Sequence, residues 1–88
     1  MAGPGIADIE AGVIEAVTKI SRRPVAPAPE HDLVADLGFD SLEVLELVAE
    51  LEDRFAITVP EDQIPAARTV AQVTAHVAQL VAGRTPRA

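Results

Sequence analysis

The chain has no cysteine, tryptophan or tyrosine, and Phe39 and Phe55 are its only aromatic residues. Without cysteine there is neither a disulfide framework nor a zinc site of the cysteine type. Positive charge is scarce as well: 7 basic against 14 acidic residues leave a net charge of −7. That balance disfavours nucleic acid, which binds basic patches, and suits partners with basic docking surfaces. No apolar run is long enough to span a bilayer. The opening Met1-Ala2-Gly3-Pro4-Gly5 has no basic region followed by an apolar stretch, so no signal peptide is visible. A soluble, cytoplasmic monomer is expected.

What is present is aliphatic. Of the 88 residues, 49% are hydrophobic, nearly all of them Ala, Val, Leu or Ile. That suffices for one small domain and rules out two independent cores. A core with few rigid rings should adapt its shape readily.

Three stretches repeat apolar residues at helical spacing. In the first, Ile6, Ile9, Val13, Val17 and Ile20 form a stripe, with Gly12 and Ala16 at its border where a neighbouring helix can approach closely. Ser21-Arg22-Arg23-Pro24 ends it, because proline cannot continue a helix and disfavours helical geometry at the residue before it. A long connection follows to Phe39. Pro27 and Pro29 keep it extended, Leu33, Val34 and Leu37 are expected to anchor it along the bundle, and a short helical turn is expected at Asp32 to Ala35. Gly38 permits a backbone turn that other residues resist.

Asp40 and Glu43 suit a capping box that opens the second helix, which is expected to run to Phe55. Val44, Leu47, Val48, Leu51 and Phe55 form its buried stripe, with Leu42, Leu45 and Ala49 as a thinner line beside it. Glu43, Glu46, Glu50 and Asp53 mark its polar side. Ile57 and Val59 are expected to anchor a loop, and Glu61 to Ala66 to hold a short helical turn ending near Pro65. Thr69 and Gln72 suit a second capping box. Val70, Val73, Val77, Leu80 and Val81 form the last stripe, closed by Gly83 and Pro86. The fold class is all-α: a bundle of three main helices plus one short helix, with a long first loop. Residues 1–5 are expected to be a flexible N-terminus, 6–82 the domain, and 83–88 a flexible tail.

Catalytic constellations are missing. His31 lies in the proline-rich loop, and His76 falls off the Val73/Val77 stripe, where it is expected to be solvated. Neither has a hydroxyl or carboxylate at a recognisable motif spacing, and Ser41 lacks the Gly-x-Ser-x-Gly turn. No loop matches the alternating oxygen ligands of a calcium site. Ser41, however, stands in the first turn of the second helix, where backbone N–H groups are unpaired and the dipole end is positive. A phosphate esterified there would be well placed. From position alone, serine is also ordinary at a helix start.

Asp36-Leu37-Gly38-Phe39-Asp40-Ser41-Leu42 resembles the attachment motif of acyl carrier proteins. Glu43 through Phe55 resembles the acid-rich second helix of that family, Ile57-Thr58-Val59-Pro60-Glu61-Asp62 its usual sequel, and Thr69-Val70-Ala71-Gln72-Val73 the start of its last helix. The resemblance implies that Ser41 carries 4′-phosphopantetheine, donated by coenzyme A through a phosphopantetheinyl transferase. Cargo would hang from the arm's thiol as a thioester, for delivery to acyl-loading and acyl-processing enzymes of a fatty-acid, polyketide or related pathway. The carrier would have no catalytic activity of its own. Asp40, Leu42, Glu43, Leu45, Glu46, Ala49, Glu50 and Asp53 occupy the positions implied for partner docking. Phe39 and Ala49 depart from carriers of primary fatty-acid synthesis, which often have a smaller and a larger residue there, so a specialised acyl pathway is at least as plausible. An aminoacyl or peptidyl cargo is an alternative, although Gly38-Phe39-Asp40-Ser41 differs from the Gly-Gly-His-Ser usual in peptidyl carriers. So is an acidic helical interaction module in which Ser41 only starts a helix.

Overall fold

Each of the three amphipathic stretches becomes a helix because it has both a cap to start it and a stripe to bury. The structure is a computed structural model that describes residues 5–83. Helix α1 spans Ile6–Ile20, α2 spans Ser41–Phe55 and α3 spans Val70–Ala82, with a short 3-10 helix at Glu61–Ala66 between the last two. The described residues contain no strand, only an isolated antiparallel bridge between Asp32 and Thr69. None of their helices is long and apolar enough to cross a membrane. Apart from Gly5 and Gly83, the terminal segments expected to be flexible lie outside the described residues, as does Pro86.

Both expected capping boxes form. The Asp40 carboxylate accepts from the Glu43 N–H at 2.8 Å, and Glu43 returns a carboxylate oxygen to the Asp40 N–H at 3.2 Å. Thr69 and Gln72 exchange the equivalent bonds, each at 3.1 Å. The stripes meet in one core: Ile9, Val13, Ala16 and Val17 from α1, Leu47 and Leu51 from α2, and Val70, Val73 and Val77 from α3. The connections contribute Leu33, Leu37, Phe39 and Ile57. Phe39 is only 2% exposed, and burying such a side chain contributes about 1.5–3 kcal/mol. Gly12 allows the expected close approach. A Cβ built there would lie 2.6 Å from Phe55 Cζ, so the ring at the end of α2 packs directly on the α1 backbone.

Two apolar residues expected inside are outside. Ile6 is 61% exposed, because it opens α1 one turn before the buried cluster begins at Ile9. Val34 is 60% exposed. The turn expected at Asp32 to Ala35 forms, with the Asp36 N–H donating to the Asp32 carbonyl at 3.0 Å as in a helix, and Asp32 Oδ1 accepts from the N–H groups of Val34 and Ala35, both at 2.9 Å. Asp36 in turn accepts from the Asp32 N–H at 2.7 Å. The Ala35 N–H, with lesser contributions from Val34 and the Arg68 guanidinium, holds the Asp32 carboxyl below its ordinary range. Leu33 and Leu37 face the core across this turn while Val34 faces out.

The long loop is fastened to the start of α3. The Leu33 N–H donates to the Arg68 carbonyl at 2.9 Å, Val70 N–H to the His31 carbonyl at 3.0 Å and Ala71 N–H to the Pro29 carbonyl at 2.8 Å. Amides at a helix start have no partner within the helix, and here the loop supplies two of them. The 3-10 helix ends at Ala66, one residue past Pro65, near where its end is expected.

Ala56 caps the C-terminus of helix α2 and takes a left-handed conformation with φ 53°. A Cβ makes that conformation costly, by about 1–2 kcal/mol relative to glycine. Ala56→Gly should therefore raise stability by about 1 kcal/mol in urea denaturation, with the slope of the transition unchanged; a loss of stability would contradict the strain assigned to this cap.

Candidate functional site

The site grows from the turn before α2. Gly38 has φ +74°, and the Arg23 side chain occupies the space a Cβ would fill there. Arg23 Nη2 donates to the Gly38 carbonyl at 3.0 Å. The Phe39 N–H reaches back to the Leu33 carbonyl at 2.8 Å, which sets the ring into the core. Asp40 follows in an extended conformation and caps the helix, and Ser41 is the first helical residue.

Ser41 is exposed, and among the described residues no protein group bonds its hydroxyl. The Asp40 side chain holds the Glu43 amide, and the Asp40 carbonyl holds the Val44 amide at 3.0 Å. The amides of Ser41 and Leu42 remain open at the positive end of the helix. A hydroxyl placed this way is accessible to a modifying enzyme and favours the addition of negative charge.

The helical phase puts Glu43 among the solvent-facing acids; the structure buries it to 7% exposure. Its carboxylate is consumed by the Asp40 N–H and by the Arg22 N–H, the latter at 3.3 Å. Glu43 therefore ties the end of α1 to the start of α2 and offers no oxygen to a partner. Glu50 is also engaged. Lys19 lies 3.1 Å away and Arg54 3.0 Å away, and the Glu50 side chain is only 18% exposed. The hydrogen bond from Lys19, followed by that from Arg54, holds the Glu50 carboxyl below its ordinary range. Arg54 also reaches Glu15 at 2.9 Å, and Glu50 before Glu15 raises its guanidinium above its usual value. Glu46 keeps an exposed carboxylate with a loose 3.7 Å pairing to Arg22. The remaining candidates come together on one open side of α2: Asp40, Ser41, Leu42, Leu45, Glu46, Ala49 and Asp53 are all exposed. Leu42 is 54% and Leu45 56% exposed, so they are not core residues.

Beside Ser41 lies a groove of about 720 Å³, bordered by Asp40, Val34, Leu45, Phe39 and Arg68. Behind it is a cavity of about 40 Å³ between α2 and α3. Leu33, Val44, Ile64 and Ala67 line both, so groove and cavity are neighbours. His76, expected in solvent, belongs to the cavity wall. Its Nε2 is sealed from solvent and has no hydrogen-bond partner among the described residues, a situation that costs about 1–3 kcal/mol. The sequence carries the signal for this placement: His76 stands three residues after Val73 and four before Leu80, which is stripe spacing. Ile64 and Arg68 had no such signal, because the short helix and its exit reach the site through the tertiary fold alone.

Glu43→Ala should destabilise the protein by about 1–3 kcal/mol, because two backbone donors lose their acceptor. Glu46→Ala, one turn further along, should stay within about 0.5 kcal/mol. Urea denaturation of the two variants checks the assignment, and equal effects would contradict it.

The match to known proteins covers the same elements. Residues 11–77 fit a family model described as the phosphopantetheine attachment site. An acyl carrier protein of Streptomyces coelicolor is 52% identical over 54 residues, which are 61% of this chain and 59% of that relative. A meromycolate extension acyl carrier protein of Mycolicibacterium aurum is 36% identical over 70 residues, 80% of this chain and 70% of the relative. The chain thus spans about three-fifths to seven-tenths of the length of these two relatives. A solved Mycobacterium tuberculosis structure described as an acyl carrier protein superposes with a TM-score of 0.75 at 34% identity, covering 81% of this chain and 96% of that one. A helical bundle with these caps, this loop and these matches makes the chain a member of the acyl carrier protein family, built as a phosphopantetheine attachment domain.

Proposed function

We propose that Ser41 is the residue that receives 4′-phosphopantetheine and that the protein carries acyl groups on this arm between enzymes of a fatty-acid, polyketide or related pathway. The observation that carries this reading is the Ser41 hydroxyl: exposed, unpaired and set on the first turn of α2 in a chain of this family. A phosphoester at Ser41 Oγ fits its surroundings. The open amides of Ser41 and Leu42 and the helix dipole favour an anion there by about 0.3–1 kcal/mol. The Asp40 carboxylate, the nearest acid in sequence, is turned onto the Glu43 amide.

Coenzyme A donates the group through a separate transferase. The arm supplies the thiol that the chain itself lacks, and it holds cargo as a thioester. The protein's own contribution is to present, shelter and dock that cargo, without catalysing a reaction. Tethering raises the concentration of cargo at whichever enzyme binds the carrier.

Docking falls to the open side of α2. Leu42, Leu45 and Ala49 offer an apolar footprint, flanked by Asp40, Glu46 and Asp53 for basic residues of the partner. Glu43 and Glu50 are left out because their carboxylates are already held within the molecule. The docking surface is thus more apolar than the count of acids suggests. Its attraction should quicken encounter and weaken with salt. Phe39 acts from inside: buried at 2% exposure, it shapes the groove floor and not the docking face. The match to a meromycolate extension carrier, alongside a plain acyl carrier, supports an acyl cargo and leaves both primary and specialised pathways in view.

Incubation with coenzyme A and a broad-specificity transferase should add the mass of one phosphopantetheinyl group to the intact protein. Ser41→Ala should gain nothing while keeping its helical circular dichroism. An unmodified wild type, or a modified Ser41→Ala, would overturn the assignment.

A further inference from the structure

The cavity behind the Ser41 groove is walled by aliphatic side chains, with Gln63 and His76 as the only polar residues in its lining. His76 Nε2 is the one buried side-chain nitrogen or oxygen among the described residues that has no hydrogen-bond partner. A cavity of about 40 Å³ has room for water, but a buried water is held by two to four polar partners, and an almost wholly aliphatic wall is a poor source of them. A neutral imidazole nitrogen donates in one tautomer and accepts in the other, so it can pair with a hydroxyl or a carbonyl oxygen. Leu33, Val44, Ile64 and Ala67 line both this cavity and the groove at Ser41. Those four side chains are aliphatic and can be displaced by an incoming chain more readily than rings.

We propose that His76 is a specificity-determining residue: it favours acyl cargo carrying a hydroxyl or keto oxygen along its chain over a saturated hydrocarbon of equal length. The proposal rests on the carrier function assigned to Ser41 above. A saturated chain entering past Val44 and Ile64 would fill apolar space and leave Nε2 unpaired. A chain with an oxygen at the right depth fills the same space and pairs it, and the advantage of one hydrogen bond in a dry site corresponds to roughly 3- to 10-fold. Because the depth of Nε2 is fixed by α3, the preference applies to one position of the oxygen on the chain.

The test uses the full-length holo-protein loaded with octanoyl or with hydroxy- and oxo-octanoyl chains whose oxygen sits at successive carbons. Two quantities are read: the nitrogen NMR signal of His76 Nε2, and the half-life of each loaded chain toward hydroxylamine. One oxygenated chain should move the Nε2 signal where octanoyl does not, and should survive roughly 3- to 10-fold longer in the wild type than in His76→Leu. Octanoyl should be sheltered at least as well by His76→Leu as by the wild type. Equal Nε2 shifts from all chains, no shift from any, or a preference that survives His76→Leu would overturn the proposal. If His76→Leu does not fold, the wild-type NMR comparison decides alone. Failure to gain the phosphopantetheinyl mass at Ser41 is read before loading, and overturns the carrier function itself rather than the role of His76.

Discussion

The backbone bonds between the long loop and the first turn of α3 are the constraint on which the rest depends. The amides of Val70 and Ala71 have no acceptor within their own helix, and the carbonyls of His31 and Pro29 serve them. Once those bonds form, the proline-rich segment has a fixed path although it has no regular structure. Leu33 is then pinned through the Arg68 carbonyl, and Leu33 in turn accepts from Phe39. The ring of Phe39 is drawn into the core, and Asp40 emerges where α2 must begin. The position of Ser41 is therefore tied to the start of α3 through the loop.

A second tie acts from the other side. The Glu43 carboxylate bridges the amides of Asp40 and Arg22, joining the exit of α1 to the entrance of α2. Lys19, Glu50, Arg54 and Glu15 extend that joint along the two helices. These exposed or half-exposed pairs contribute little singly. Their larger consequence is that they remove acidic groups from the docking side. The open face of α2 is left with Leu42 and Leu45 at its centre and the exposed Asp40, Glu46 and Asp53 at its edges, an arrangement of apolar middle and polar rim common to protein interfaces. The same helix thus divides its duties by face: one side holds the bundle together, one lines the route from Ser41 inward, and one meets partners.

What could be read from the residues was whatever depends on local spacing. Asp40 with Glu43 and Thr69 with Gln72 announce helix starts, and Val13, Leu47 and Val77 fall inside because their stripes say so. The attachment motif around Ser41 was legible for the same reason, being contiguous. What escaped was whatever depends on which helix faces which. Glu43 looks like one more acid on a polar side until Arg22 arrives beside it. Glu50 looks free until Lys19 and Arg54 close on it. Val34 looks like an anchor, yet the turn built by the Asp32 carboxylate points it outward. His76 is a different case: its phase against Val73 and Val77 points to solvent, whereas its spacing from Val73 and Leu80 points to the stripe, and the cavity between α2 and α3 takes it. Among the described residues, its Nε2 is the buried side-chain atom left without a hydrogen-bond partner.

Ser41 is presented by an ordered loop held against α3. Native-state amide hydrogen exchange tests it most directly, at Leu33, Phe39, Val70 and Ala71. All four amides should exchange far more slowly than those of an unstructured peptide and open together, in step with one another as denaturant is raised. Rapid exchange at Leu33 and Phe39, with Val70 and Ala71 fraying like an uncapped helix end, would contradict it.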